Sequence, residues 1–213
     1  MENKQKIDCL KAHFSLYSED LGIDLLEPDG RFRWFLASIL FGTRIGERIA
    51  ANTYMEFQRE GLNSPEKILS AGWEKLVRIL DEGGYVRYDF STATKLLHIM
   101  RDLKAQYGSL EELRLQSADT KDLERRLQEF KGIGPVTAQI FLREMRVPWK
   151  VNPKISSRAQ EMAKCLDITL EGLEGDELAR VETALVKLNL RYCKRKMCSE
   201  CAAMSFCRSA AGE

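Results

Sequence analysis

The sequence predicts an all-α protein, and three observations support this fold class. Apolar residues recur three or four positions apart through most of the 213 residues, which is the spacing of an amphipathic helix. No stretch of five residues between turn signals alternates clearly between apolar and polar side chains, so strong strand candidates are lacking. Glycine-containing turns at 28–30, 83–84, 107–108 and 132–134 divide the chain into about ten short helices.

Each helix is indicated by its own local pattern. Ile7, Leu10 and Phe14 share one face of a helix near the start of the chain. Residues 32–41 (FRWFLASILF) are apolar on nearly every side, which predicts a buried helix. Ser64–Pro65 has the order of an N-cap and a first helical residue and therefore predicts a helix start. Further helices are predicted over 74–80, 92–100 and 122–130.

The composition is that of a globular protein, with 44% hydrophobic and 31% charged residues. No run of about 18 apolar residues occurs, which excludes a membrane-spanning helix. The charged first residues lack the apolar core of a signal peptide, so we expect a cytoplasmic protein, or a nuclear one in a nucleated cell.

Charge is distributed unevenly, although the net charge is only +1. Residues 131–164 carry seven basic and two acidic side chains, and residues 191–208 carry five and one. Residues 167–182, between these two segments, carry six acidic side chains and one basic one. One basic face that binds phosphate is consistent with this distribution, and so is a set of solvated helix faces.

Residues 122–145 have the pattern of two short helices joined by the turn 131–134 (KGIG). Proline at 135 suits the first turn of the second helix, where a missing N–H costs nothing. The glycines leave the backbone amides of the turn accessible, and amides at a helix start suit a phosphate oxygen. An ordinary tight connection between two helices is the alternative. The apolar stripes consist of Leu123, Leu127 and Phe130 before the turn and Val136, Ile140 and Phe141 after it.

Four of the six cysteines lie within fifteen residues, spaced C-x4-C-x2-C-x5-C. Such close thiolates indicate one metal centre. Zinc ribbons normally pair two C-x2-C units, and only one is present here, so an iron–sulfur cluster fits better than zinc. The four are Cys193, Cys198, Cys201 and Cys207. Cys9 and Cys165 are interpreted as small buried apolar residues.

The segment LQEFKGIGPVTAQIFL (127–142) resembles the helix-hairpin-helix motif of the endonuclease III-like DNA glycosylases. Residues 32–54 and 81–99 resemble segments that precede the motif in that family, and the cysteine loop resembles its C-x6-C-x2-C-x5-C loop with the first interval shortened. The resemblance implies a two-lobed all-α fold with a [4Fe–4S] cluster that serves as a structural staple. The implied ranges are a six-helix barrel lobe over 29–145, ending in the hairpin 122–145, and a cluster lobe formed by 1–28 plus 146–213.

The resemblance also implies the partner, which is double-stranded DNA carrying a damaged or mismatched base, bound by a monomer associated with the nucleoid. The hairpin amides would hold a phosphate, Arg44 stands where the family has an intercalating glutamine, and basic residues beside the cluster would meet the backbone. The implied DNA-binding residues are Arg44, Gly132, Ile133, Gly134, Val136, Thr137, Lys154, Arg191, Lys194, Arg195 and Lys196.

Three positions that carry chemistry in the family differ here. Val136 occupies the place of the lyase lysine, Asn152 that of the aspartate, and Ala37 that of an early-helix glutamate. Under one hypothesis the protein is a monofunctional glycosylase in which Asn152 orients water, possible when the leaving base is a cationic alkylated purine. Under a second, another group substitutes, and Lys154 is the candidate nucleophile. Carboxylate candidates under this second hypothesis are Glu47, Asp89 and Glu144.

A third hypothesis is a protein that binds a lesion without excising it, as loss of both the lysine and the aspartate would allow. A zinc-stapled DNA-binding module is a further alternative. The aromatic residues Tyr85, Tyr88 and Phe90 either stack on a flipped base or pack within a lobe.

Overall fold

The computed structural model describes residues 1–208, and within that range it contains helices and turns but no β-strand. The all-α prediction is therefore confirmed. The helices are α1 (Asn3–His13), α2 (Tyr17–Asp20), α3 (Pro28–Phe41), α4 (Glu47–Arg59), α5 (Pro65–Glu82), α6 (Asp89–Gln106), α7 (Leu110–Leu115), α8 (Thr120–Glu129), α9 (Pro135–Glu144), α10 (Ser157–Leu166) and α11 (Gly175–Arg191). Three 3-10 turns follow at Cys193–Arg195, Cys198–Glu200 and Met204–Phe206. In this part of the chain, no helix combines the length and the apolar content needed to cross a membrane.

The chain divides into two compact units. The larger unit is Leu21–Pro153, and the smaller one joins Met1–Asp20 to the chain from Lys154 onward. Both boundaries lie about eight residues away from the predicted ones. The later boundary differs because the residues after α9 pack into the larger unit. The Trp149 ring meets the Phe141 ring edge-on at 5.2 Å between centroids.

Helix α3 forms the centre of the larger unit, as its nearly uniform apolar sequence predicts. Its side chains from Trp34 to Leu40 are buried. The Trp34 indole donates a hydrogen bond of 3.1 Å to the Phe141 carbonyl of α9, and the Phe35 ring packs edge-on against Phe141. These contacts fix α9, the second helix of the hairpin, against the core.

The long pair α5 and α6 packs beside this core. Helix α5 begins as predicted, because the Ser64 hydroxyl accepts a hydrogen bond from the Lys67 amide. Gly72 interrupts the helix with a positive φ of 73°. The sequence predicts a helix start at Ser64–Pro65 and a helix over 74–80 but not the break between them, because an apolar repeat does not reveal where a glycine turns the axis.

The smaller unit is built on α1, α10 and α11, and its core includes Leu10, Leu166 and Leu185. A fully buried lysine, Lys187, lies within this unit. Its amine donates hydrogen bonds to the Ser15 carbonyl at 2.7 Å and to the Asp20 carboxylate at 2.6 Å. Buried charges are tolerated when they are paired in this way. The cysteine loop packs on the same core through Cys193, Cys201 and Cys207.

Candidate nucleic-acid interface

The hairpin between α8 and α9 is the first candidate for a nucleic-acid contact. Ile133 and Phe130 are buried and close the two helices on each other, as their apolar spacing predicts. Gly132 has φ +102°, in the left-handed region that favours glycine. Gly132 and Gly134 lie at the surface.

The backbone amides of the turn differ in what they bind. The Ile133 amide donates to the Phe130 carbonyl at 2.9 Å and is used inside the turn. The amides of Gly132, Gly134 and Val136 have no hydrogen-bond partner anywhere in residues 1–208. Three unpaired donors at the start of α9, with the positive end of its dipole behind them, suit an anionic oxygen. They can hold a phosphate without selecting a base sequence.

The loop 42–46, which follows α3, lies against the first turn of α9. A Cβ atom at Gly42 would overlap the Thr137 side chain, so only glycine allows this approach. Thr137 itself is buried. The structure thus places the loop that contains the exposed residue Arg44 against the hairpin, although the two segments are far apart in the sequence.

Lys95 of α6 also lies at this junction, at a position that no sequence motif marks. A Cβ atom at Gly132 would overlap the Cγ and Cδ atoms of Lys95, so the lysine stem lies directly on the hairpin glycine. The Lys95 amine donates to the Thr43 hydroxyl at 3.3 Å. Burial lowers the pKa of this ammonium. The only sequence signal was a lysine within a segment that otherwise supplies an apolar helix face.

Asn152 has a charged neighbour that the sequence did not indicate. The guanidinium of Arg146 donates a 2.8 Å hydrogen bond to the Asn152 Oδ1 atom, and the backbone N–H of Asn152 donates to the Thr120 hydroxyl at 3.1 Å. Arg146 is only 4% exposed. An amide oxygen held by a cation neither carries a negative charge nor takes up a proton, so this site can orient a ligand but cannot act as a base.

The remaining predicted chemical positions are spread over the larger unit, except for Lys154. Val136 is 62% exposed, so its side chain does not belong to the core. Ala37, at the glutamate position, is buried in α3, and Glu144 is buried at the end of α9. Asp89 accepts a hydrogen bond from the neighbouring Phe90 amide at 2.7 Å. The two further residues named by the sequence are partly exposed Glu47 and exposed Lys154.

The three aromatic residues before α6 have different surroundings. Tyr85 is fully buried and its hydroxyl donates to the Leu40 carbonyl at 2.5 Å. Burial raises the pKa of Tyr85 to about 12. Tyr85 therefore packs in the lobe. Phe90 is exposed and lies beside Trp73 at 5.3 Å between ring centroids, and Tyr88 is partly exposed under the Arg87 guanidinium.

The cysteine loop is the second candidate site, in the smaller unit. Burial, followed by the nearby thiols of Cys201, Cys207, Cys165 and Cys198, raises the pKa of Cys193 to about 11. The described cysteines form no disulfide. Across residues 1–208, no group of three or more His, Cys, Asp or Glu side chains is arranged so that it could hold a metal ion. The donor atoms are of the kind that bind iron or zinc, but in the described residues they are not arranged as a metal site.

Basic residues surround the first cysteine of this loop. Lys194, Arg195 and Lys196 are exposed and follow one another along the chain. Arg191, at the end of α11, lies 3.6 Å from the Asp20 carboxylate. Three adjacent exposed cations form a suitable surface for a phosphate backbone.

No protein-family model matches the chain, and no curated protein matches it in sequence. Among solved structures, the chain is similar to the crystal structure of the H. pylori 3-methyladenine DNA glycosylase MagIII bound to 1,N6-ethenoadenine. The two share 15% sequence identity with a TM-score of 0.52, and the match covers 90% of this chain and 98% of that chain. The likeness is one of fold: the chain has the helix-hairpin-helix DNA glycosylase fold that the sequence predicted.

Proposed function

We propose that this protein is a DNA glycosylase that acts in repair as a monomer on double-stranded DNA. The observation that carries the proposal is the hairpin turn, whose unpaired amides at Gly132, Gly134 and Val136 stand at the surface of a glycosylase fold. One fold hosts many activities, so the chemistry depends on the residues of the site.

The proposed substrate is a duplex with an alkylated purine, turned out of the base stack for excision. The similar structure is that of a 3-methyladenine DNA glycosylase bound to 1,N6-ethenoadenine, and a methylated purine as the named substrate of that protein supports this class. The residues point in the same direction. A cationic alkylated base is already activated as a leaving group, so it makes the smallest demand on a site that has Asn152 in place of a carboxylate.

The proposed reaction is hydrolytic. The C1′–N bond breaks, its electron pair leaves with the base, water adds at C1′, and the water proton goes to solvent. Asn152, held through its oxygen by Arg146, keeps its NH2 group available to orient a ligand or water. An apolar side chain at Val136 cannot form a Schiff base, so the activity is monofunctional, without strand cleavage at this position.

A panel of duplexes that each carry one lesion tests the proposal. Release of one base by the wild type, strongly reduced in Asn152→Ala, is the expected result. Release that survives Asn152→Ala but is lost in Lys154→Ala would assign the chemistry to the lysine. Saturable binding to every duplex without release would contradict glycosylase activity and support the alternative, a lesion-binding protein of the same fold.

We further propose that Cys193, Cys198, Cys201 and Cys207 hold a [4Fe–4S] cluster that stabilises the basic loop. Support comes from the number of thiols in one short segment and from their closeness, because after burial the neighbouring thiols of Cys201, Cys207 and Cys198 also raise the pKa of Cys193. The cluster has no step in the proposed reaction.

The cluster is tested by iron, sulfide and zinc analysis of anaerobically purified protein together with its visible absorption. We expect iron and sulfide in the wild type and in Cys9→Ser, and loss of both in Cys198→Ser. One zinc ion with no visible absorption would contradict the iron–sulfur assignment and support a zinc-stapled loop.

A further inference from the structure

Lys95 connects two segments of the larger unit that the proposed function places on DNA. Its stem covers Gly132 of the hairpin, and its amine reaches Thr43 in the loop that contains Arg44. Helix α6 therefore presents a cation where the hairpin turn and the loop 42–46 meet.

The Lys95 amine has few hydrogen-bond acceptors within the protein. Its single hydrogen-bond partner in residues 1–208 is the neutral Thr43 hydroxyl, which in turn donates to the Ile39 carbonyl. No carboxylate pairs with Lys95 in the same part of the chain. An ammonium has three donors, so the geometry leaves two of them without a protein acceptor.

The environment of Lys95 is unfavourable for a charge. The residue is half-buried, and burial is the sole cause of its lowered pKa, with no opposing charge to offset it. The folded protein therefore holds this ammonium at a cost in stability, because a desolvated charge needs a counter-ion. Since the folded-state pKa is depressed, that cost is present at neutral pH and declines only as alkaline pH removes the proton.

We propose that Lys95 is a DNA-binding residue whose ammonium takes a backbone phosphate oxygen at the junction of the hairpin turn and the loop 42–46. The phosphate supplies the missing counter-ion and the missing acceptors. It also lies beside the amides of Gly132 and Gly134, so the lysine adds a full charge to a site otherwise made of dipoles. The inference rests on the DNA binding in the proposed function, not on base excision.

Lys95→Met is the informative variant, because methionine keeps most of the stem against Gly132 and removes the charge. Lys104→Met is the matched control. It makes the same change on the same helix, where Lys104 pairs with Glu66 at the surface. Lys95→Gln, which keeps a polar end, is measured alongside in case methionine disturbs folding. Each protein is titrated with a duplex carrying a non-cleavable abasic-site analogue at several salt concentrations, and thermal unfolding is recorded.

Three results are expected of Lys95→Met. The slope of log K against log salt becomes shallower by about 0.9, the contribution of one phosphate contact, and affinity at about 50 mM salt falls about tenfold. Its melting temperature stays level or rises, because a desolvated charge has been removed. Lys104→Met retains the wild-type slope.

A wild-type slope and affinity in both Lys95 variants would overturn the inference. So would an equal loss in Lys95→Met and Lys104→Met, since that reports only net charge. Failure of the proposed function can be distinguished from failure of this inference. If the wild type releases no base but Lys95 variants still lose slope, Lys95 is confirmed in a protein that binds without excising. If the wild type does not bind DNA at all, both are overturned.

Discussion

At the scale of single residues, Asn152 is a neutral side chain in surroundings that suit a carboxylate. Its oxygen accepts a hydrogen bond from Arg146, a contact that a carboxylate would strengthen. The buried guanidinium would hold the pKa of an aspartate at this position low, so that the aspartate would be ionised at neutral pH. The site therefore has the surroundings for a charged residue but contains a neutral one.

Asn152→Asp is predicted to accelerate base release by about tenfold or more, because a carboxylate stabilises the developing sugar cation. The gain should disappear as acid protonates the new carboxylate, whereas the wild-type rate should not follow that titration. Single-turnover base release against pH measures both. Asn63→Asp is the control, since Asn63 also accepts from a cation, Lys67, outside the proposed site. Equal rates for wild type and Asn152→Asp would refute the role given to position 152.

Val136 supports a second prediction at this scale. The side chain is exposed at the first turn of α9, so lysine fits there without disturbing the core. Val136→Lys is predicted to gain a borohydride-trapped covalent complex with an abasic-site duplex, because an amine at this position can condense with the C1′ aldehyde and lose water. Val147→Lys, also at an exposed valine, should give no complex. Equal trapping by both variants would show that position 136 is not beside the sugar.

At the scale of elements, the hairpin turn contains two glycines, and only one of the two positions requires glycine. Gly132 has a positive φ and lies under the Lys95 stem, whereas Gly134 has φ −93° and open space where a Cβ would go. Gly132→Ala should destabilise the fold by about 1–3 kcal/mol through backbone strain and overlap. Gly134→Ala removes the N-cap glycine of α9 without strain or overlap and should cost less, about 0.5 kcal/mol.

Urea unfolding of the two alanine variants measures this difference. A Gly132→Ala protein as stable as Gly134→Ala would contradict the described turn. DNA affinity adds a second measurement: Gly134→Ala keeps the amide and should still bind, which separates a backbone contact from a requirement for glycine itself.

The hairpin also shows how far sequence reasoning reaches. Its helices and turn follow from apolar spacing, two glycines and a proline, all of which act locally. These local signals do not predict that the Ile133 amide is used inside the turn, nor where Lys95 lies. Lys95 lies far along the chain from Gly132, and no pattern within α6 reveals which side chain covers the turn. Tyr85 was equally undetermined, because burial of its ring depends on α3.

At the scale of the whole molecule, the fold class was predictable because helical periodicity runs through most of the chain and is consistent with the motif. The boundaries of the two units were less predictable from the sequence. Trp149 and Asn152 belong to the larger unit through contacts with Phe141 and Thr120, and such tertiary contacts carry no local signal. Likewise, the spacing of the four cysteines along the chain does not determine how their thiols are arranged in space.

The central claim is that this protein excises an alkylated purine from duplex DNA without cutting the strand. It is tested most directly by incubating excess purified protein with such a duplex and quantifying both the free base and the strand length. The account predicts release of the free purine, with the strand intact until alkali cleaves the abasic site. Saturated binding to the duplex with no free base released, on this and every other lesion, would contradict it.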